Sequence, residues 1–91
     1  MRWEKDMERM ACAITDPAGL HARPASKLVQ FASGLQSKVT LIVGGKSVDA
    51  KSVLAVMTLG VPCGEQIAFE LEGDTASADM AQLAEFCGEN L

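Results

Sequence analysis

The sequence has little of what marks several large classes of protein. Its 91 residues hold one histidine, His21, and three cysteines without CxxC spacing, so no Cys/His zinc set is available. Its eight lysines and arginines are outnumbered by twelve acidic residues and form no basic stripe, which argues against nucleic acid as a partner. No apolar run approaches the roughly 20 residues that cross a bilayer, so no membrane insertion is expected. Neither a Ser/His/Asp set nor a Gly-rich nucleotide loop is present, so we expect no enzyme with its own active site, no metal and no cofactor.

What is present suffices for one small domain. Hydrophobic residues make up 48% of the chain, enough for a core without disulfides. The odd cysteine count and the lack of a signal peptide favour reduced thiols and a cytoplasmic location, with Cys63 as an ordinary surface thiol. Residues 1–9 are polar and charged apart from Trp3. We therefore predict a flexible extension over 1–9 and a single domain over 10–91.

The apolar residues follow strand and helix periods in turn. Ala25, Leu28, Val29 and Ala32 share one helical face. Gly44-Gly45 is typical of a hairpin turn, and Ser52 is a natural helix N-cap. In chain order the predicted elements are a strand at 10–14, a helix at 22–33, strands at 38–43 and 46–50, a short helix at 52–59, a strand at 66–72, and a helix with Met80, Leu83, Ala84 and Cys87 on its apolar stripe. The order β-α-β-β-α-β-α predicts an α+β domain with one antiparallel sheet covered on one face by helices.

The stretch GLHARPASKL, residues 19–28, places the one histidine directly before the first predicted helix. A helix N-terminus has unpaired N–H groups and a partial positive charge, which together favour a bound anion. Arg23 adds a planar guanidinium suited to phosphate oxygens, and Pro24 fits the first helical turn. The imidazole of His21 is a nucleophile near neutral pH. Residue types alone leave three interpretations open: an N-capping histidine without chemistry, a phosphate-binding site without transfer, and a phosphoryl acceptor.

Two stretches of the chain resemble the signatures of one family. GLHARPASKL is similar to the active-site signature of the HPr family, the histidine-containing phosphocarriers of the bacterial phosphotransferase system. GGKSVDAKSVLAVMTLGVPCG, residues 44–64, resembles the region around that family's regulatory serine. The similarity runs from about Met10 to Cys87, with matching spacing between the two signatures. It implies the HPr open-faced β-sandwich, whose element order is the one that the periodicity predicts.

The resemblance also implies a role for each matching residue. His21 would be phosphorylated on ring nitrogen Nδ1 by phospho-enzyme I and would pass the group to the A domains of sugar permeases. Arg23 would steady the phosphoryl group, and Pro24 would help set the helix start. Ser52 matches the serine that HPr kinase/phosphorylase modifies in many bacteria; the alternative is that it only caps a helix. Such a carrier is expected to be a monomer without turnover of its own.

The family docks its partners with the ends of its first two helices. On that analogy the docking residues here are Ala22, Ser26, Val53, Leu54 and Met57. The alternative is that Val53 and Met57 fill the core. A competing hypothesis for the whole chain is a regulatory HPr-like protein, in a nitrogen branch or in gene regulation, that acts by protein binding. Asp79 departs from the family pattern, because a small apolar residue often stands at that place.

Overall fold

The computed structural model describes residues 7–20 and 22–91, and within these ranges four strands form one antiparallel sheet. The elements in chain order are β1 (Met7–Ala13), α1 (Ala22–Ser33), β2 (Lys38–Val43), β3 (Lys46–Asp49), α2 (Val53–Met57), β4 (Gln66–Glu72) and α3 (Ala76–Asn90). The strands lie side by side in the order β1-β4-β2-β3. The predicted architecture is therefore confirmed: an α+β, open-faced β-sandwich whose sheet is covered on one face by three helices.

Strand β4 forms the centre of the core. Ile67, Phe69 and Leu71 are fully buried and alternate with half-buried residues, as the period of two requires. Phe69 pairs with Met10 of β1 on one side and with Leu41 of β2 on the other. The buried side chains of β4 therefore define the sheet face against which the helices pack.

Helix α1 begins and ends at the residues that the sequence predicts. Three residues of the predicted stripe, Ala25, Leu28 and Ala32, are buried, and the fourth, Val29, is half-buried. Phe31 stacks on Phe86 of α3, with the ring centroids 4.6 Å apart, and so joins the two longest helices. The stripe therefore fixes both the extent of α1 and the side that it turns to the core.

Strand β1 extends further toward the N-terminus than the apolar pattern indicates. It begins at Met7, which pairs with Glu72, and Arg9 forms an ion pair with Glu70 at 3.7 Å. Main-chain pairing with β4 does not need apolar side chains, so the alternation of apolar residues predicts a strand that is too short. The remainder of the predicted extension, residues 1–6, lies outside the described residues.

Helix α3 buries a different set of residues from the predicted stripe. Met80, Leu83 and Cys87 are buried as predicted, but Ala84 is exposed and the prediction for it is wrong. Asp79 is buried instead, only 6% exposed. The polar partners of Asp79 explain this, because they hold that side of the helix against the segment before β2.

Those partners form a closed hydrogen-bonded cluster of Ser37, Thr75 and Asp79. Asp79 Oδ2 accepts hydrogen bonds from Ser37 N at 3.0 Å, Ser37 Oγ at 2.6 Å and Thr75 Oγ1 at 2.8 Å. Burial raises the pKa of Asp79, but these hydrogen bonds and the charge of Lys51 outweigh it and hold that pKa below its usual value. The carboxylate is therefore well satisfied inside the fold.

Candidate functional site

The candidate site is built around the start of α1. His21, the proposed phosphoryl acceptor, lies outside the described residues, and the structure describes its two sequence neighbours. Helix α1 begins at Ala22, directly after it in the chain. Pro24 is buried in the first turn, where its missing N–H removes no helical hydrogen bond. The predicted helix start is confirmed, and the role of Pro24 in setting it remains a prediction.

The first turn of α1 is electrostatically suited to an anion. It contains no acidic residue, and Arg23 is exposed. Among the described residues, Arg23 makes no ion pair or side-chain hydrogen bond. Its guanidinium therefore adds its charge to the positive end of the helix dipole.

The loop that leads to α1 is held in one conformation by main-chain hydrogen bonds. Leu20 N donates to Val61 O at 2.8 Å, and Gly19 N donates to Asp16 O at 2.8 Å. Gly19 has φ +78°, and a Cβ there would overlap the carbonyl oxygen of Val61 and lie 2.9 Å from the Cα of Pro62. Only glycine fits a left-handed backbone that passes so close to a second chain segment.

A second set of contacts holds the start of this loop. Leu91 O accepts hydrogen bonds from Thr15 N at 2.6 Å and from Thr15 Oγ1 at 2.9 Å. The exposed thiol of Cys63, which is on the surface as predicted, donates to Thr15 O at 3.8 Å. Sequence reasoning missed these supports because their partners are far apart in the chain and no local pattern connects them.

Helix α2 starts at the predicted cap. Ser52 Oγ accepts a hydrogen bond from Ala55 N at 3.3 Å, and the extended backbone of Ser52 is typical of an N-cap. The helix ends at Met57, two residues before the predicted end at Leu59, because the following residues make shorter-range turns. The cap prediction is confirmed, and phosphorylation at Ser52 remains a prediction.

The apolar residues of α2 divide between core and surface. Val56 is fully buried, whereas Val53, Leu54 and Met57 are 37%, 76% and 44% exposed. Val53 and Met57 therefore do not fill the core. Large apolar side chains grouped on a surface are typical of a protein-binding patch.

The structure brings one predicted docking residue of each helix, Ser26 of α1 and Val53 of α2, to a shared groove. A shallow groove of about 220 Å³ between the two helices is lined by Ser26, Val29, Gln30 and Val53. Ala22 and Ser26 are four residues apart on α1, so they share one side of that helix, and both are exposed. This surface adjoins the start of α1, and its use in docking remains a prediction.

A cavity larger than this groove lies elsewhere in the described part of the chain. It measures about 460 Å³, and its charged lining residues are Lys38, Asp49, Lys51, Glu72 and Asp74. None of the candidate site residues lines it. Its charges are of both signs, and they indicate no single class of ligand.

The described ranges contain neither a candidate metal site nor a candidate membrane span. No group of three or more His, Cys, Asp or Glu side chains there is placed to hold a metal ion. No helix in those ranges is both long enough and apolar enough to cross a membrane.

The comparisons of this sequence with family models and with known proteins lead to the same family. The family model described as "PTS HPr component phosphorylation site" matches residues 9–89. The phosphocarrier protein HPr of Mycoplasma capricolum is 39% identical over 70 residues, which cover 77% of this chain and 79% of that protein.

Solved structures agree with the sequence match. The crystal structure of HPr-C-His from Thermoanaerobacter tengcongensis superposes with a TM-score of 0.85 at 32% identity, covering 91% of this chain and 93% of the other. The phosphocarrier protein HPr from Bacillus anthracis superposes with a TM-score of 0.81 at 31% identity, covering 89% and 96%. The similarity therefore extends over nearly the whole fold.

Proposed function

Because this chain belongs to the HPr family of the phosphotransferase system, we propose that it is a phosphocarrier in which His21 accepts a phosphoryl group from phospho-enzyme I and passes it to the A domain of a sugar permease. One observation of the structure carries the proposal beyond family membership. The helix that follows His21 in the chain has an exposed Arg23 and no acidic residue in its first turn. This is the electrostatic environment that a transferable phosphoryl group requires.

The proposed transfer exchanges one phosphorus bond for another. Nδ1 of His21 attacks the phosphorus atom, a P–N bond forms, and the bond from phosphorus to enzyme I breaks. In the second step a nucleophile of the permease domain attacks the phosphorus atom, forms a new bond to it, and the P–N bond to His21 breaks. Arg23 and the N–H groups of Ala22 and Ala25 supply positive potential for the phosphoryl oxygens in both steps.

The surface beside the site is proposed to receive both partners in turn. Its members are the exposed residues Ala22, Ser26, Val53, Leu54 and Met57. A partner seated over Val53 and the α1–α2 groove would also cover the start of α1. One surface can therefore serve donor and acceptor, provided that they bind at different times.

Ser52 is proposed to regulate that surface when HPr kinase/phosphorylase phosphorylates it. The serine caps the helix that carries Val53, Leu54 and Met57. A phosphate at this helix end is electrostatically favoured, and it adds negative charge at the edge of the docking surface. An acidic partner would then bind more weakly.

The test is phosphoryl transfer from phosphoenolpyruvate through the enzyme I of the same organism. The full chain is compared with the His21→Ala variant, and the label is identified by its acid lability and by phosphorus NMR. Because His21 is the only histidine, a ring-nitrogen signal has one possible source. We expect label on the wild type and none on the variant.

The matched control is Ser52→Ala, which removes the other proposed phosphorylation site and should still accept label from enzyme I. If the folded wild type takes up no label, the phosphocarrier proposal fails. The regulatory HPr-like protein that acts by binding alone would then be favoured.

A further inference from the structure

Two of the three cysteines meet between the edge strand β1 and the last helix. Cys12 is half-buried and packs against the core, and Cys87 is a buried member of that core. Helix α3 packs directly against β1. Cys12 lies three residues before Thr15, and Cys87 lies four residues before Leu91, whose carbonyl oxygen accepts the hydrogen bond from Thr15 N. The ends of β1 and α3 are therefore held side by side, and each of the two thiols changes the pKa of the other. Cys63 is exposed in the loop before β4.

The contact makes the two thiols unequal. The hydrogen bond from Cys87 lowers the pKa of Cys12, against the smaller effect of its burial. The same contact, together with burial and the neighbouring charge, raises the pKa of Cys87. Cys12 is also the less buried of the two thiols, so an external disulfide reaches it first.

We propose that Cys12 and Cys87 are a redox-active pair that forms a reversible intramolecular disulfide by exchange with a small-molecule disulfide such as oxidised glutathione. The Cys12 thiolate attacks one glutathione sulfur, forms a mixed disulfide and releases one glutathione thiolate. The Cys87 sulfur, on losing its proton, attacks the Cys12 sulfur and releases the second glutathione. The protein pair is oxidised by two electrons, one glutathione disulfide is reduced, and the two thiol protons end on the two glutathione molecules.

This disulfide would reinforce a junction close to the candidate site. Leu91 N donates to Cys87 O at 3.0 Å, and Leu91 O is the acceptor that holds Thr15 at the start of the loop before α1. A covalent link between β1 and α3 would close a loop covering most of the chain. We expect the midpoint of thermal unfolding, Tm, to rise by roughly 10 °C on oxidation.

The experiment oxidises the full, folded chain with glutathione disulfide and then alkylates the remaining thiols. Intact mass and peptide mapping are expected to show loss of two hydrogen atoms, a Cys12–Cys87 linked peptide, and alkylation at Cys63 only. Dithiothreitol should restore three alkylated cysteines and the lower Tm. The Cys63→Ser variant, which removes the exposed thiol, should behave like the wild type.

The variants Cys12→Ser and Cys87→Ala should each lose the link and the rise in Tm. The peptide map of the oxidised wild type does not depend on these two variants, so the test remains valid even if one of them folds poorly. The proposal is overturned if the oxidised wild type keeps all three thiols, stops at a glutathione adduct on Cys12, or forms its disulfides through Cys63.

Discussion

Arg23 and Asp79 are both charged residues in the first turn of a helix, yet one is exposed and the other is buried. Asp79 is an anion at the positive end of α3, where its charge stabilises the helix, and it accepts three hydrogen bonds. Arg23 is a cation at the positive end of α1, where its charge disfavours the helix by a few tenths of a kcal/mol. It makes no compensating ion pair with any described residue.

The difference separates a structural polar residue from one available for binding. The bonds of Asp79 are all internal, and they tie α3 to the segment before β2. Arg23 contributes nothing comparable to the fold, so its position is better explained by a ligand that is itself an anion. The comparison predicts that changes at Asp79 affect stability and changes at Arg23 affect phosphoryl transfer.

The largest expected effect is that of Asp79→Ala. Removing the acceptor leaves the buried N–H and hydroxyl of Ser37 without a partner, which should lower the free energy of unfolding by about 3 kcal/mol. Urea unfolding measures this loss. Asp74→Ala, at an exposed position one residue before Thr75, is the control and should change stability by less than about 0.5 kcal/mol. Equal losses in both variants would contradict the structural role of the cluster.

The loop that precedes α1 should be nearly as sensitive at Gly19. In Gly19→Ala the new Cβ meets the backbone of Val61 and Pro62 at a positive φ, so we expect a loss of about 2–3 kcal/mol. Gly45→Ala has a similar φ of +84° but open space around it, and should cost about 1 kcal/mol. Thermal or urea unfolding of the two variants separates the cost of backbone strain alone, in Gly45→Ala, from the cost of strain together with steric overlap, in Gly19→Ala. Matching losses would mean that the loop moves to make room.

Replacing Arg23 should produce the opposite pattern to Asp79→Ala. Arg23→Gln removes a charged contact to the phosphoryl oxygens, and we expect the rate of transfer from phospho-enzyme I to fall by about tenfold to a hundredfold. The free energy of unfolding should stay constant or rise by a few tenths of a kcal/mol. Lys27→Gln, one turn later on the same helix, is the matched control. An unchanged transfer rate in Arg23→Gln would remove Arg23 from the proposed site.

Acid should weaken the Asp79 cluster through its own titration. The pKa of Asp79 is lowered in the folded state from its usual value of 3.8, so its stabilising contribution is present above that value and is lost as pH falls through the folded pKa. Urea midpoints measured between about pH 6 and pH 2 should therefore fall more steeply for the wild type than for Asp79→Asn. Parallel curves would show that the cluster does not favour the charged carboxylate.

The sequence predicts features that depend on neighbouring residues. The bounds of α1, the Gly44-Gly45 turn and the Ser52 cap are set within a few residues by periodicity and local backbone preference, and the structure has them as predicted. The surface position of Val53 and Met57 was left open, because a short helix does not indicate which apolar residues its neighbours cover.

Features that depend on distant partners could not be predicted. At Asp79 the sequence indicates only a departure from the family pattern, because its partner Ser37 is 42 residues away in the chain. The contact between Cys12 and Cys87 and the bonds from Thr15 to Leu91 likewise join opposite ends of the sequence. Each of these contacts depends on how the elements pack, and no periodicity or motif in the sequence indicates it.

The smallest expected effect concerns Ser52, where a cap and a proposed regulatory site share one side chain. Ser52→Ala loses the hydrogen bond to Ala55 N and should cost about 0.5–1 kcal/mol of unfolding free energy, with little change in transfer from enzyme I. Ser52→Asp keeps a capping oxygen and adds a negative charge beside the docking surface, so stability should stay near the wild-type value. Transfer should instead slow by about threefold to tenfold at low salt, and less at high salt because the charge is screened. Initial rates at two salt concentrations, read beside urea midpoints, separate the two roles. If Ser52→Asp transfers as fast as Ser52→Ala at low salt, Ser52 is only a helix cap, and the regulatory proposal fails while the phosphocarrier proposal stands.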